Sequence, residues 1–118
     1  ISVSAFLLNR SSDLEMIMDI TINQVEDRLV VALIGDLDNA ASSQAERSLA
    51  PVYDFTDGDI LIDCTQLNYI SSSGLRIMLN IYKHTRANGH KAILKGLSED
   101  VKEVFQLSGF LQLYVTED

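Results

Sequence analysis

Three consecutive serines, Ser71, Ser72 and Ser73, are followed by Gly74 and by an amphipathic segment that begins at Leu75. A junction of this kind between a loop and a helix points backbone N–H groups outward, where they stabilise negative charge. One serine can act there as an ordinary N-cap, with its neighbours as polar loop residues. Alternatively, a serine can accept a phosphate, because the helix dipole and the free amides tolerate a dianion. The junction is therefore either a structural cap or a phosphorylation switch.

Two pairs of aspartates also have the spacing for chemistry. Asp36 and Asp38 lie two residues apart in a predicted loop, and Asp59 and Asp63 flank a short predicted strand. Paired carboxylates can bind a metal ion or exchange protons with a substrate. Asp36 and Asp38 equally suit the start of the following helix, where a carboxylate caps free amides. Local chemistry favours capping.

The cysteine and the two histidines do not have the pattern of a catalytic or metal centre. Cys64 has no basic neighbour that would lower its thiol pKa, so we expect it to be buried. His84 and His90 are six residues apart, unlike zinc ligands on one helical face, and we expect both to be solvated. A hydrolase that used one of the three serines would lack a histidine placed by any motif. We expect no cofactor, no metal and no enzymatic activity.

Length and charge narrow the class of partner. The chain has 118 residues, the usual size of one domain, and 47% of them are hydrophobic. Nine Lys and Arg against 17 Asp and Glu leave a net charge of −8, which repels nucleic acid and anionic lipid. The apolar runs are far shorter than the roughly 20 residues that span a bilayer. We expect a cytoplasmic protein that binds neither nucleic acid nor a membrane.

The hydrophobic pattern predicts alternating strands and helices. Alternation of apolar and polar residues, followed by a β-branched run, favours an antiparallel hairpin at the start. Apolar residues at helical spacing, each time after Asp or Ser, predict three helices, and Pro51 should end the first of them near Ala50. The predicted strands are 19–25, 28–35, 59–63, 91–95 and 111–115. The first helix follows cap residues within 36–39, the second runs from Ser73 to Asn88, and the third is capped by residues 98–100.

The resulting order is β-β-α-β-α-β-α-β, in which a strand is followed by a helix three times. Such an order favours crossover connections and one mixed sheet in a single α/β domain. Residues 1–15 show no regular pattern and no basic start of the kind that opens a secretory signal. We therefore expect an extension or added segment at 1–15, outside the fold, and a domain that covers residues 16–118.

In three stretches, the sequence resembles the STAS domain family, and within it the bacterial anti-sigma factor antagonists. Gly35-Asp-Leu-Asp38 is similar to the family's loop before its first helix, residues 61–70 to its central strand and following loop, and Ser72-Ser-Gly-Leu75 to its phosphorylation site. The resemblance covers essentially residues 18–118. It implies an STAS-type α/β domain with a mixed central sheet and helices packed mainly on one face.

The resemblance also implies a protein-binding switch rather than an enzyme with a small-molecule substrate. The unmodified form would bind a kinase-type anti-sigma factor and so free a sigma factor. That serine kinase, using its own ATP, would phosphorylate the antagonist and release it, and a serine phosphatase would reset the cycle. Carried onto this sequence, the phosphate acceptor is Ser72, with Ser71 and Ser73 as alternatives.

The predicted docking surface surrounds Ser72, with Asp38 as the loop carboxylate next to it. Family members commonly have Asp immediately before the acceptor, where this chain has Ser71. STAS domains also occur in anion transporters, lipid-transport complexes and stress-sensing assemblies, so the fold does not determine the partner. The alternative function is a non-switching STAS subunit of such a complex. The predicted partner-binding residues are Asp36, Asp38, Ser71, Ser73, Gly74 and Leu75.

Overall fold

The computed structural model describes residues 2–4 and 18–117. In this part of the chain, strands and helices alternate around one sheet. Short 3₁₀ helices at Ala50–Asp54 and Leu111–Leu113 complete the connections. The strands are β1 Ser2–Ser4, β2 Met18–Val25, β3 Arg28–Leu37, β4 Ile60–Ile70, β5 Ala92–Lys95 and β6 Val115–Glu117, and the helices are α1 Asn39–Ser48, α2 Ser72–Ala87 and α3 Glu99–Ser108.

The strands lie side by side in chain order, from β1 at one edge to β6 at the other. The pairs β1–β2 and β2–β3 are antiparallel, whereas β3, β4, β5 and β6 run parallel. Parallel neighbours need a crossover connection, and α1, α2 and α3 supply one each. The predicted order β-β-α-β-α-β-α-β and the mixed sheet are therefore confirmed for β2 to β6.

The hairpin of β2 and β3 follows directly from the alternation in the sequence. Ile20 and Ile22 are buried, whereas Thr21 and Asn23, which follow them in turn, are only partly buried. A two-residue turn joins the strands, and its first residue, Glu26, has a φ of 56°. Two-residue turns that begin with a positive φ are common in hairpins, because their backbone twist matches that of the two strands.

The helices share one face of the sheet with a single hydrophobic core. Buried residues of all three helices belong to the same cluster as every second residue of the strands. Leu61 and Ile93 are also buried, but they point to the opposite face and lie outside that cluster. The predicted packing of the helices on one face is confirmed. Helical members of the core are Ala41, Ala45, Leu75, Ile77, Met78, Ile81, Val101 and Phe105.

Residues 1–15 were expected to lie outside the fold. Ser2–Ser4 instead adds an edge strand to β2, with Val3 opposite Ile22. An edge strand needs only backbone pairing on one side, so it leaves no hydrophobic pattern in the sequence. Residues 5–17 lie outside the described residues, and the domain start at residue 16 stays a prediction.

Two other strands differ from their predicted bounds. β4 continues beyond the predicted end at Asp63 as far as Ile70, and its pairing with β3 contains two register shifts. These irregularities remove the regular alternation that marks a strand in the sequence. At the C-terminus, the predicted strand 111–115 is wrong in position, because Leu111–Leu113 is a 3₁₀ helix and the strand is Val115–Glu117.

Candidate functional site

The parallel pairing of β3 with β4 brings two of the predicted stretches together. Asp36 lies opposite Tyr69, and Leu37 lies opposite Ile70. The N–H of Ser71 then donates to the carbonyl oxygen of Leu37 at 2.9 Å. The carboxyl ends of β3 and β4, and hence the starts of α1 and α2, therefore lie side by side. Here the edge of the sheet means this row of carboxyl ends, not an outermost strand. In open α/β sheets, this edge at the carboxyl ends of parallel strands is the usual binding site.

Ser71 is the N-cap of α2. Its side-chain oxygen accepts a hydrogen bond from the N–H of Gly74 at 3.1 Å, and its carbonyl accepts one from Leu75 at 2.9 Å. Its backbone is extended, as N-cap residues require, and only 7% of the residue is exposed. The structural role that one serine of the junction was expected to play thus falls to Ser71.

Ser72 is the first residue of α2, one position earlier than the predicted start at Ser73. Its side chain is exposed, whereas Ser73 is partly buried. The first two amides of a helix have no carbonyl partner within it, and no residue in the first turn of α2 is acidic. The positive end of the helix dipole is therefore not offset by a carboxylate of that turn. Ser72 combines an accessible hydroxyl with a position that favours negative charge.

The two loop aspartates differ in role. Asp38 is the N-cap of α1, and its Oδ1 accepts a hydrogen bond from the N–H of Ala41 at 2.9 Å. Asp36 is still in β3, opposite Tyr69. Both aspartates are partly buried. The capping interpretation thus fits Asp38, and Asp36 brings a second carboxylate to the same edge.

Gly74 and Leu75 support this edge from inside. A Cβ on Gly74 would lie 2.7 Å from Cγ1 of Ile70 and 2.8 Å from Cγ of Leu37, closer than side chains can approach. Leu75 is only 8% exposed and belongs to the core. Both residues were predicted to bind a partner. Both are buried beneath the start of α2 in this structure, and their predicted role in partner binding stays a prediction.

Tyr69 is a surface residue of this edge that sequence reasoning missed. It is 51% exposed, and it lines a small pocket of about 90 Å³ with Asp100 and Val104 of α3. Exposed tyrosines are enriched at the centres of protein interfaces. Tyr69 lies within the stretch 61–70 that resembles the family's central strand and loop, but nothing in that resemblance gave it a role. An aromatic residue shortly before the capping serines is the signal that would have found it.

Cys64 is buried, as its surroundings in the sequence predicted, with 1% of the residue exposed. Burial, and next the negative charge of Asp63, raise the pKa of its thiol to about 12. The thiolate, which is the nucleophilic form, is therefore scarce at neutral pH. Cys64 is a member of the core.

The remaining candidates make local contacts. Oδ1 of Asp63 accepts hydrogen bonds from Thr65, and Oδ1 of Asp59 accepts one from the N–H of Lys91 at 2.9 Å. His84 was expected to be solvated, but it is partly buried with Nε2 2.8 Å from a backbone carbonyl oxygen. Within residues 2–4 and 18–117, no cluster of three or more His, Cys, Asp or Glu could hold a metal ion.

The helices of the described ranges include none that is both long and apolar enough to cross a membrane.

Sequence comparison finds proteins that are similar to this chain over most of its length. Residues 19–118 match the family model described as the STAS domain. BtrV of Bordetella bronchiseptica, named as a candidate anti-sigma factor antagonist, is 34% identical over 97 residues, which cover 82% of this chain and 84% of the relative.

Solved structures show the same fold. The anti-sigma factor antagonist SpoIIAA in its unphosphorylated form has a TM-score of 0.64 at 22% identity, over 84% of this chain and 87% of that one. The phosphorylated form of SpoIIAA, a Bacillus cell fate determinant, has a TM-score of 0.63 at 22% identity. The match covers 82% of this chain and 89% of that one. With a family model that matches nearly every described residue and a relative above 30% identity, the chain belongs to the STAS domain family.

Proposed function

We propose that this protein is an anti-sigma factor antagonist, a binding protein that is switched by phosphorylation of Ser72. Its unmodified form binds a kinase-type anti-sigma factor. Phosphorylation by that kinase releases it, and a serine phosphatase restores the unmodified form. The proposed cycle runs in the cytoplasm. The family membership and the name of the Bordetella relative support the general role.

One observation carries the choice of residue, which is the division of labour between Ser71 and Ser72. Ser71 is buried, and its side-chain oxygen is engaged in capping Gly74. Ser72 is exposed and occupies the first position of the helix. A phosphate there can form hydrogen bonds with unpartnered amides and interact with the helix dipole, so the domain can accept it without unfolding. Modification of Ser71 would first have to break a cap.

Phosphorylation would act on binding rather than on folding. A partner that docks against Ser72 also meets Asp36, Asp38 and Tyr69 on the same edge of the sheet. A phosphate adds a bulky dianion to an interface that is fitted to a hydroxyl. Leaving such charge buried and unpaired costs roughly 3 to 5 kcal/mol, or on the order of a hundredfold or more in affinity. Release of the partner follows.

The test is phosphorylation by a kinase-type anti-sigma factor from the same organism, with ATP and with intact mass and site mapping as readouts. We expect one phosphate on the wild-type protein and none on Ser72→Ala. The matched control is Ser73→Ala, which removes the neighbouring hydroxyl that is not part of the helix cap and should still gain a phosphate. In the absence of ATP, Ser72→Ala should keep its affinity for the partner, whereas Ser72→Asp should bind more weakly.

The possible failures are distinct. If Ser72→Ala still gains a single phosphate, mapped to Ser71 or Ser73, the switch is correct and the residue is wrong. If none of the three serines is phosphorylated although the partner binds, the protein is a non-switching STAS subunit. Absence of any binding to the anti-sigma factor would refute the role itself.

A further inference from the structure

A pocket of about 260 Å³ lies between the C-terminal end of α1 and the middle of α2. Its floor is formed by Leu49 and Ile77, which are 1% and 3% exposed. Its rim is formed by three side chains that reach solvent, Glu46, Tyr53 and Asn80. Pockets that bind drug-sized ligands span about 300 to 1,000 Å³. This one therefore suits a single side chain rather than a nucleotide or a larger metabolite.

The rim combines a carboxylate with an ordered aromatic ring. The pKa of Tyr53 is raised by its burial and next by the negative charge of Glu46, so the two side chains are close enough to interact. The ring of Tyr53 makes an edge contact with His84, with centroids 5.2 Å apart and planes at 72°. His84 is itself held by a contact of 2.8 Å between Nε2 and the carbonyl oxygen of Phe55. The aromatic wall is thus preorganised.

The carboxylate of Glu46 has no cationic partner among the described residues. In that part of the chain, the Lys or Arg side chain that pairs with a carboxylate is Arg28, with Glu117, and Nδ1 of His90 lies 3.6 Å from Oδ1 of Asp59. An exposed carboxylate beside a phenol ring and an amide is a suitable receptor for a planar cation. A guanidinium group donates two parallel hydrogen bonds to a carboxylate and stacks on an aromatic face, which an ammonium group does not do.

We propose that this pocket receives an arginine side chain of the protein that docks at Ser72. The net charge of −8 attracts a basic partner surface to this molecule. Ser73, Ile77 and Asn80 follow one another on one face of α2, at spacings of four and three residues. Asn80 comes eight positions after Ser72 in the helix, a distance of about 12 Å along its axis. The inference rests on the proposed function, because the partner is the one that Ser72 controls.

The pocket can be tested without the partner. The probe is N-acetyl-arginine N-methylamide, titrated into the ¹⁵N-labelled protein and followed by NMR. The citrulline analogue is a neutral isostere, and the lysine analogue is a cation without a planar group. We expect saturable binding of the arginine compound with a dissociation constant on the order of millimolar. The shifts should be confined to the lining residues, with at least fivefold weaker binding of either analogue.

Two variants complete the design. Glu46→Gln keeps the shape of an exposed side chain and should weaken binding of the arginine compound about fivefold. Glu103→Gln removes a charge from an exposed position on α3 and should leave binding unchanged. Equal loss in both variants would mean that only net charge matters, and equal binding of the citrulline or lysine analogue would refute an arginine pocket.

The outcome is separable from that of the proposed function. If Ser72 is phosphorylated and the partner released, but the arginine compound does not bind, this inference fails alone. If the compound binds at Glu46 and no serine is phosphorylated, the switch fails and the pocket stands. With the partner itself, Glu46→Gln should weaken binding and leave the site of phosphorylation unchanged.

Discussion

The helices α2 and α3 begin in nearly the same way, yet only one of these beginnings is suited to receive a phosphate. Both follow a parallel strand, and both are capped by a serine. The oxygen of Ser71 accepts a hydrogen bond from Gly74 at 3.1 Å, and that of Ser98 accepts one from Val101 at 3.2 Å. The two starts differ in the first turn, which holds Glu99 and Asp100 in α3 and no acid in α2.

This difference shows that the cap itself carries no functional information. In α3, two carboxylates already interact with the positive end of the dipole, so an added anion would meet like charge. In α2, the equivalent positions are Ser72 and Ser73, whose side chains are neutral. The feature that makes a serine-capped helix start suitable for a phosphate is therefore a first turn without Asp or Glu.

The starts of α2 and α3 also differ in the type of their third helical residue. In α3 it is Val101, a buried residue with 1% exposure, whereas in α2 it is Gly74. The start of α2 lies so close to the ends of β3 and β4 that no Cβ fits. The close contact of Gly74 thus fixes the start of α2, with Ser72, near the sheet. At the start of α3, Val101 has room for a side chain.

Gly74→Ala should give the largest effect on stability. Alanine normally favours a helix over glycine by roughly 0.5 to 1 kcal/mol, but here its Cβ would meet Leu37 and Ile70 at 2.8 and 2.7 Å. We expect a net loss of about 1 to 3 kcal/mol, measured by urea denaturation. Ser73→Ala, at the preceding position, is the control and should change stability by less than about 0.5 kcal/mol. A Gly74→Ala protein as stable as wild type would show that α2 can move away from the sheet.

Removal of the serine caps of α2 and α3 should lower the free energy of unfolding by unequal amounts. Ser71→Ala leaves the buried N–H of Gly74 without its acceptor, so we expect a loss near the upper end of about 0.5 to 2 kcal/mol. Ser98 is exposed and water can replace its oxygen, so Ser98→Ala should cost less, near the lower end. Equal losses in denaturant titrations would remove the distinction between the two caps.

The smallest effect concerns charge in the first turn. Ser72→Asp adds a carboxylate to a first turn without one, so we expect a change in stability of only a few tenths of a kcal/mol, in the stabilising direction. Glu99→Gln removes a carboxylate from the start of α3 and should give a loss of similar size. Both differences should shrink in 1 M NaCl, because exposed charges are screened. Destabilisation of Ser72→Asp by more than about 1 kcal/mol would mean that α2 cannot carry negative charge at its start.

Much of the fold follows from local pattern, and the errors fall where pattern is weak. Alternation in β2 and helical spacing in α2 reflect burial against one core, which a sequence records directly. The second half of β4 and the edge strand Ser2–Ser4 escaped because register shifts and one-sided backbone pairing leave no such record.

The candidate site was predictable in composition but not in its division of roles. The three serines stood out in the sequence, yet which serine caps and which is exposed depends on where the helix begins. At that start Gly74 lies close to Leu37, a residue far away in the chain, and this contact cannot be read from local pattern. Tyr69 was missed for a related reason, since its exposure follows from the long course of β4.

The hydrogen bond from the N–H of Ser71 to the carbonyl of Leu37 also has a consequence for folding kinetics. It closes a loop of more than thirty residues that contains the whole of α1, so it forms only after the entropy of that closure is overcome. The helix start that presents Ser72 is therefore complete only once the ends of β3 and β4 have come together. A kinase that recognises this junction would distinguish finished molecules from nascent or misfolded ones, and phosphorylation would serve as a measure of the native population.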